Sequence, residues 1–283
     1  MRREKCFGLL FSDKLIKNNY TRLVTMRKYL LDLTVTHVEM LSSKHVLLKL
    51  TRQEPLPPML PGQFVEVKVD NSTETFLRRP ISINYVDEAK NELWLLVAMI
   101  GAGTRALGQL KVGQQLNCLL PLGNGFTIPT DSYDKPLLIG GGVGTAPLLY
   151  YGKVLNDKHI RPTFLLGGRS ASDILQLDLF RSLGDVFVTT EDGSMGQQGF
   201  VTNHTVLHER QFTRISTCGP KPMMKAVAGF AVKNNITCEA SLENQMACGL
   251  GACLCCVEKT TSGNLCVCKQ GPVFNVKNLL WQI

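Results

Sequence analysis

The hydrophobic rhythm of this chain changes once, near Tyr133, and a chain with two rhythms needs two kinds of core. Upstream, from Lys28, short β-rich runs follow one another: "KYLLDLTVTHVEM", "HVLLKLT", "QFVEVKV", "ISINYV", "ELWLLVAMI" and "LNCLLPLGNGF", with proline-rich "PLPPMLPG" between the second and third. Six short strands in about 100 residues predict an antiparallel β-barrel. Downstream, "KPLLIGGGVGTAPLLYYGKVL" reads as a buried strand, a glycine turn and a helix. "PTFLLGG", "DVFVTT" and "RISTCGP" are further apolar strands with helical spacers, the pattern of a parallel sheet covered by helices. After about Asn235 the chain turns cysteine- and glycine-rich and is too short for a large core of its own. The expected class is α+β multidomain. It comprises a basic extension over residues 1–27, an antiparallel barrel over 28–130, a parallel-sheet α/β domain over 131–235 and a small metal-dependent domain over 236–283.

Composition narrows the function classes. With 283 residues and 44% hydrophobic content the chain can support several cores. No apolar run approaches the roughly 20 residues needed to cross a bilayer. "CFGLLF" and "YLLDLTV" are short, followed by charge and without a small-residue cleavage site, which argues against a secretory signal. The expected location is the cytoplasm, where thiols stay reduced. The net charge of +8 is uneven. Residues 1–28 hold eight Lys/Arg against Glu4 and Asp13, leaving 23 basic and 21 acidic residues in the rest. Basicity confined to a tail, with Met26 as an alternative start, gives no nucleic-acid groove. No membrane partner is expected either.

Six cysteines lie between 248 and 268, four of them in "CGLGACLCC". In a reduced compartment such density points to metal. Cys248, Cys253 and Cys256 stand at C-x4-C-x2-C, the plant-type ferredoxin spacing for a 2Fe–2S cluster, whose fourth ligand lies further on. Gly249 and Gly251 let a short loop wrap closely and turn amides toward sulfur. Zinc favours C-x2-C pairs, and no histidine is near. The fourth ligand comes from Cys266 or Cys268, and Cys255, between two ligands, is read as a bystander.

Two glycine turns and an arginine pair suggest anion sites. "LLIGGGVGTAPLL" sets Gly140, Gly141, Gly142 and Gly144 between strand and helix, loosely matching a dinucleotide turn, with a plain strand–helix turn as the alternative. "TCGP" (217–220) ends a later strand, where ligands of open α/β sheets gather. "RRPISI" holds Arg78, Arg79 and Ser82; alternation sends Arg78 and Ser82 to one face, interrupted by Pro80. "IGAGTRALGQL" adds a second Gly/Thr turn. The histidines His37, His45, His159, His204 and His208 accompany no nucleophile elbow, so no side chain is assigned as catalytic.

The order of these pieces resembles the ferredoxin–NADP reductase superfamily, most nearly the electron-transfer subunits of dihydroorotate dehydrogenase B, over residues 28–275. The most specific stretches are "SLENQMACGLGAC", "CKQGPVF" and "TEDGSMGQQGFVT". The resemblance implies FAD in the barrel, NAD as outside partner and Cys268 as fourth ligand, since a cysteine opens the family's Gly-Pro-Val-Phe segment. It implies that Arg79, Pro80, Ile81 and Ser82 hold the flavin, with Gly103 and Thr104 by its pyrophosphate. It places Gly141, Gly142, Gly144 and Thr145 along the NAD site, with Cys218, Gly219 and Pro220 near the nicotinamide. It implies an FMN-containing dihydroorotate dehydrogenase partner in a two-plus-two heterotetramer, electrons passing through the cluster and FAD to NAD+ in pyrimidine (UMP) synthesis. A related flavin/iron–sulfur subunit, of the ferredoxin–NADP transhydrogenase or hydrogenase type, is the rival, because Arg169 and the serines of "GGRSAS" suit a 2′-phosphate.

Overall fold

The computed structural model describes residues 27–70, 74–131 and 133–282, so the basic extension lies outside the described residues except for Arg27. The six β-rich runs form β1 (Tyr29–Ser42), β2 (His45–Thr51), β3 (Phe64–Val67), β4 (Arg79–Asp87), β5 (Glu92–Ala98) and β6 (Gln115–Leu122). They close into an antiparallel barrel of order β1-β2-β5-β4-β3-β6, which leaves no open edge. Period-two alternation fills it: Leu33 and Val35, Val65 and Val67, Ile81 and Ile83, and Leu93, Leu95 and Val97 all pack inside. A short helix, α1 (Ala102–Leu107), buries Leu107 in the same core.

The second rhythm becomes a sheet of seven strands. Its chain order is β7 (Pro136–Gly141), α2 (Ala146–Asp157), β8 (Thr163–Gly168), α3 (Leu177–Leu183), β9 (Asp185–Thr190) and β10 (Gln197–Gln198). It continues through α4 (Val206–Glu209), β11 (Arg214–Cys218), α5 (Lys221–Lys233) and β12 (Thr237–Ser241). The cysteine-rich segment adds a hairpin, β13 (Val257–Thr260) with β14 (Gly263–Cys266), then α6 (Val267–Gln270) and β15 (Val273–Asn275). The sheet order is β10-β9-β8-β7-β11-β12-β15. All pairs are parallel except β15, which returns antiparallel against β12. Leu137, Leu138 and Ile139 are successive buried residues, as a strand covered on both faces requires. Chain order reverses between β7 and β11, so the crevice of the sheet lies at their carboxyl ends.

The cysteine-rich segment does not stand apart. Val227 and Ala228 of α5 share one core with Leu242, Cys256, Val267 and Trp281. Trp281 is 8% exposed and its Nε1 donates to Glu258 Oε1 at 3.4 Å, so this ring serves packing, as its place in the sequence suggests. Across the barrel–sheet boundary, Asn84 Nδ2 donates to the carbonyl of Ala146, while Asn84 and Gln176 exchange amide hydrogen bonds at 3.0 Å. Tyr150 of α2 enters the barrel core and donates to the Met59 carbonyl. Among the described residues, no helix is long and apolar enough to cross a membrane.

Candidate functional site

The turn after β7 contains Gly142 at φ +55° and Gly144, which meets the turn after β11. A Cβ on Gly144 would lie 2.5 Å from Gly219 Cα and 2.6 Å from the Cys218 carbonyl oxygen. Gly219 itself has φ +147°, open to glycine alone at little cost. Thr145 is buried, its hydroxyl donating to the Gly142 carbonyl, and Pro147 occupies the first turn of α2. Gly141 packs under Pro220 and Met223. The two turns singled out in the sequence therefore touch at the topological switch point.

Beside them runs a cleft walled by all three segments. Pro80, Ile81 and Ser82 come from β4, Val143 and Ala146 from the glycine turn, and Leu242, Glu243, Asn244 and Met246 from the chain leading to Cys248. At its rim, Arg79, Gly103 and Thr104 meet in an adjoining pocket shared with Pro80. A Cβ on Gly103 would lie 2.9 Å from Arg79 Nε, so glycine makes room for the guanidinium. Alternation pairs Arg78 with Ser82, but the structure spends Arg78 elsewhere. Its guanidinium donates to the backbone carbonyls of Glu66 and Asn117 and to Asn117 Oδ1, stitching the start of β4 to β3 and β6. Pro80 breaks the simple pleat, and Arg79 is the arginine left facing the pocket.

Glu243 and its neighbours lie in the stretch "SLENQMACGLGAC" but take no site role from the sequence. The Cys218 thiol is buried and donates to Glu243 Oε1 at 3.8 Å. Burial, then the Glu243 charge, pushes the Cys218 thiol far above its ordinary range, so it stays protonated. Burial in the cleft also raises Glu243. The signal lay in that stretch and in position: Glu243 stands two residues past β12, whose carboxyl end lies beside that of β11.

Five of the six cysteines gather here, Cys248 with Cys253 on the loop and Cys256 with both Cys266 and Cys268. Cys248 and Cys253 interact through their side chains on the loop, Cys248 half-buried and Cys253 exposed. Burial opposes ionisation of Cys248, but amides of Leu250, Cys253 and Ala252 and the Cys253 thiol outweigh it, holding the thiol at about 6. Cys256 and Cys268 are both buried, with the Cys268 amide donating to Cys256 Sγ at 3.4 Å. Burial and the bond to Cys256 push the Cys268 thiol up to about 12. Gly249 and Gly251, at φ +66° and +79°, give the loop its left-handed turns. Cys255 is exposed; Cys266 is buried with Sγ 3.9 Å from the Gly251 carbonyl oxygen. Among the described residues, no three His, Cys, Asp or Glu side chains gather around one point tightly enough for a single ion. Clustered thiols, with amide donors turned on Cys248, fit the thiolate donor set of a two-iron group.

Comparison with known proteins agrees with this geometry. A family model for the iron–sulfur cluster binding domain of dihydroorotate dehydrogenase B matches residues 243–280. The dihydroorotate dehydrogenase B (NAD(+)) electron transfer subunit of Lysinibacillus sphaericus is 41% identical over 223 residues, covering 76% of this chain and 85% of the relative. That of Fusobacterium nucleatum is 36% identical over 223 residues, covering 76% and 84%. Among solved structures, the NADH-dependent reduced ferredoxin-NADP oxidoreductase superposes with a TM-score of 0.79 at 26% identity, covering 88% of this chain and 90% of that one. An Amycolatopsis cytochrome P450 reductase shares the fold at a TM-score of 0.64 and 24% identity, over 74% of this chain and 67% of its own. At 41% identity over 76% of its length, the chain belongs to the family of dihydroorotate dehydrogenase B electron transfer subunits.

Proposed function

We propose that the chain is a flavin and iron–sulfur oxidoreductase subunit that carries electrons from a dihydroorotate-oxidising partner to NAD+. The observation that carries this reading is the single cleft whose walls come from the barrel, the dinucleotide turn and the approach to Cys248. Residues 28–130 hold FAD, 131–235 receive NAD+, and 236–283 hold a 2Fe–2S cluster. The bound groups supply the redox chemistry, one-electron exchange at the cluster and two-electron hydride exchange at the flavin.

The chain's own residues position and shield. Arg79 would offer paired donors to the flavin phosphates beside Gly103 and Thr104, with Pro80, Ile81 and Ser82 lining the adjoining cleft that would hold it. Gly141, Gly142, Gly144 and Thr145 admit the dinucleotide backbone closely, opposite Cys218, Gly219 and Pro220. Cys218, buried beneath the cleft, keeps its proton on sulfur and shares it with Glu243, which lines the cleft. Cys248, Cys253, Cys256 and Cys268 ligate the cluster. The partner is an FMN-containing dihydroorotate dehydrogenase catalytic subunit in a two-plus-two heterotetramer, acting in the cytoplasm in pyrimidine synthesis.

Anaerobic co-expression with that partner tests the reading. The purified complex shows flavin bands with a broad iron–sulfur shoulder, and NADH bleaches the flavin. A colourless chain, or one whose flavin ignores NADH and whose preparations never retain the partner, refutes it. A second reading, an NADP-linked subunit, is favoured by the superposition on the ferredoxin-NADP oxidoreductase and by exposed Arg169 at the end of β8. NADPH outpacing NADH in the same bleaching assay selects it.

A further inference from the structure

Glu66 is a carboxylic acid on the outward face of a barrel strand, where alternation predicts contact with solvent, yet it is buried. On β3, Val65 and Val67 fill the barrel, while Phe64 and Glu66 point outward. Phe64 joins the core that contains Cys256 and Cys268. Glu66 is 0% exposed, and neither carboxyl oxygen has a hydrogen-bond partner. Arg78 and Arg79 act on the carboxyl through charge alone, without a hydrogen bond: Arg78 donates to the backbone oxygen of Glu66 and to Asn117. The cysteine loop leaves space for the acid. Gly249, next in sequence to Cys248, would place a Cβ 2.8 Å from Glu66 Cγ and 3.3 Å from Oε1.

Buried polar groups are paired as a rule, and an orphan costs about 1–3 kcal/mol. An orphan pressed against a metal-ligand loop therefore points to a partner that arrives with the metal. None of the loop's amides reaches the Glu66 oxygens, and the ligating sulfurs of a bound cluster accept and do not donate. A carboxylate there would meet thiolates and be repelled; the neutral acid has one O–H to give. Hydrogen bonds to cluster sulfurs favour the more negative, reduced form and raise the reduction potential.

We propose that Glu66, as the neutral acid, donates a hydrogen bond to a sulfur of the 2Fe–2S group on the 248–268 loop and thereby raises its reduction potential. The inference rests on the cluster assignment made above, and Glu66 acts on the cluster's potential, not on a bond-making step. The test uses the cofactor-loaded complex and a redox titration followed by the electron paramagnetic resonance signal of the reduced cluster. Wild-type protein without such a signal refutes the assignment itself, a separate failure. With the signal present, Glu66→Leu shifts the reduction equilibrium tenfold toward the oxidised form, about 59 mV for a one-electron couple. Glu66→Gln, which keeps a donor in the same shape, stays within about threefold of wild type, as one retained hydrogen bond implies. A Leu variant with the wild-type potential overturns the proposal. So does a Gln variant whose potential rises tenfold, because it has then lost a negative charge. Should leucine prevent folding, Glu66→Met takes its place, and the Gln result decides in either case.

Discussion

Adding one methyl group at Gly144 tests the switch-point site with a magnitude set by the structure. The new Cβ would lie 2.5 Å from Gly219 Cα, 2.6 Å from the Cys218 carbonyl oxygen and 2.6 Å from the Gly219 nitrogen. Non-bonded carbon contacts settle near 3.5–4.0 Å, so the overlap is roughly 1 Å. All three neighbours are backbone atoms, which no change of rotamer can move. The turns after β7 and β11 must separate by about that distance, at a strain of about 1–3 kcal/mol. That is below the stability of an ordinary domain, so Gly144→Ala stays folded with its flavin and cluster. A displacement of about 1 Å at a positioned reactant costs on the order of 100-fold in rate. Anaerobic stopped-flow reduction of the flavin by NADH is the assay, with absorbance reporting cofactor content. The expected result is a rate about 100-fold lower at unchanged content. A fully loaded variant reduced as fast as wild type would refute the placement of the nicotinamide between these turns.

Three further outcomes are expected. Cys268→Ser abolishes the iron–sulfur absorbance and resonance signal, whereas Cys266→Ser retains both; the reverse result exchanges the ligand and the bystander. Gly229, inside α5 with nothing within 4 Å of its would-be Cβ, becomes stabilising as alanine by about 0.5–1 kcal/mol, seen as a higher denaturation midpoint. Asp185 is held below its ordinary value of 3.8 by hydrogen bonds from Arg210 first, against some burial, and then from Arg161. Because its folded pKa is depressed, its stabilisation is present above 3.8 and disappears as pH falls through the folded value. Asp185→Asn therefore loses at most about 1 kcal/mol at neutral pH, as befits a half-exposed pair, with the gap closing below pH 3.8 and shrinking in salt.

The barrel was legible because its strands are short β-rich runs broken by turns, with residues such as Leu93, Leu95 and Val97 packing inside. The parallel sheet was legible for another reason, since runs such as Leu137–Ile139 are apolar on both faces. Local pattern fails where neighbours are distant in sequence. Arg78 and Arg79 differ only in what lies across the strand, Asn117 for one and Gly103 for the other, and neither residue is near in the chain. The chain before Cys248 reads as an approach to the metal loop, yet Glu243 and Met246 also wall the cleft. That double duty follows from β12 lying beside β11, a pairing no short window reveals. Glu66 hid for a related cause: acid in an alternating strand looks like a solvent-facing residue until the loop at Gly249 covers it. Cys268 gained its standing over Cys266 from family likeness alone, for both thiols interact with Cys256.

The antiparallel return of β15 along β12 has a mechanical meaning. Ser241 and Val273 are paired across that ladder, and the Leu242 amide donates to the Pro272 carbonyl, so residues 242–272 form an excursion stitched shut at its neck. Asn124, just past the barrel's last strand, grips the returning limb through Gly271, Lys269 and Gln270. A loop fastened in this way behaves like a cartridge seated in a socket. Lengthening or trimming the β13–β14 tip leaves the neck where it is, and the cysteines keep their distance from the cleft. Variation in the hairpin can therefore reshape the outward face without retuning the path beneath it.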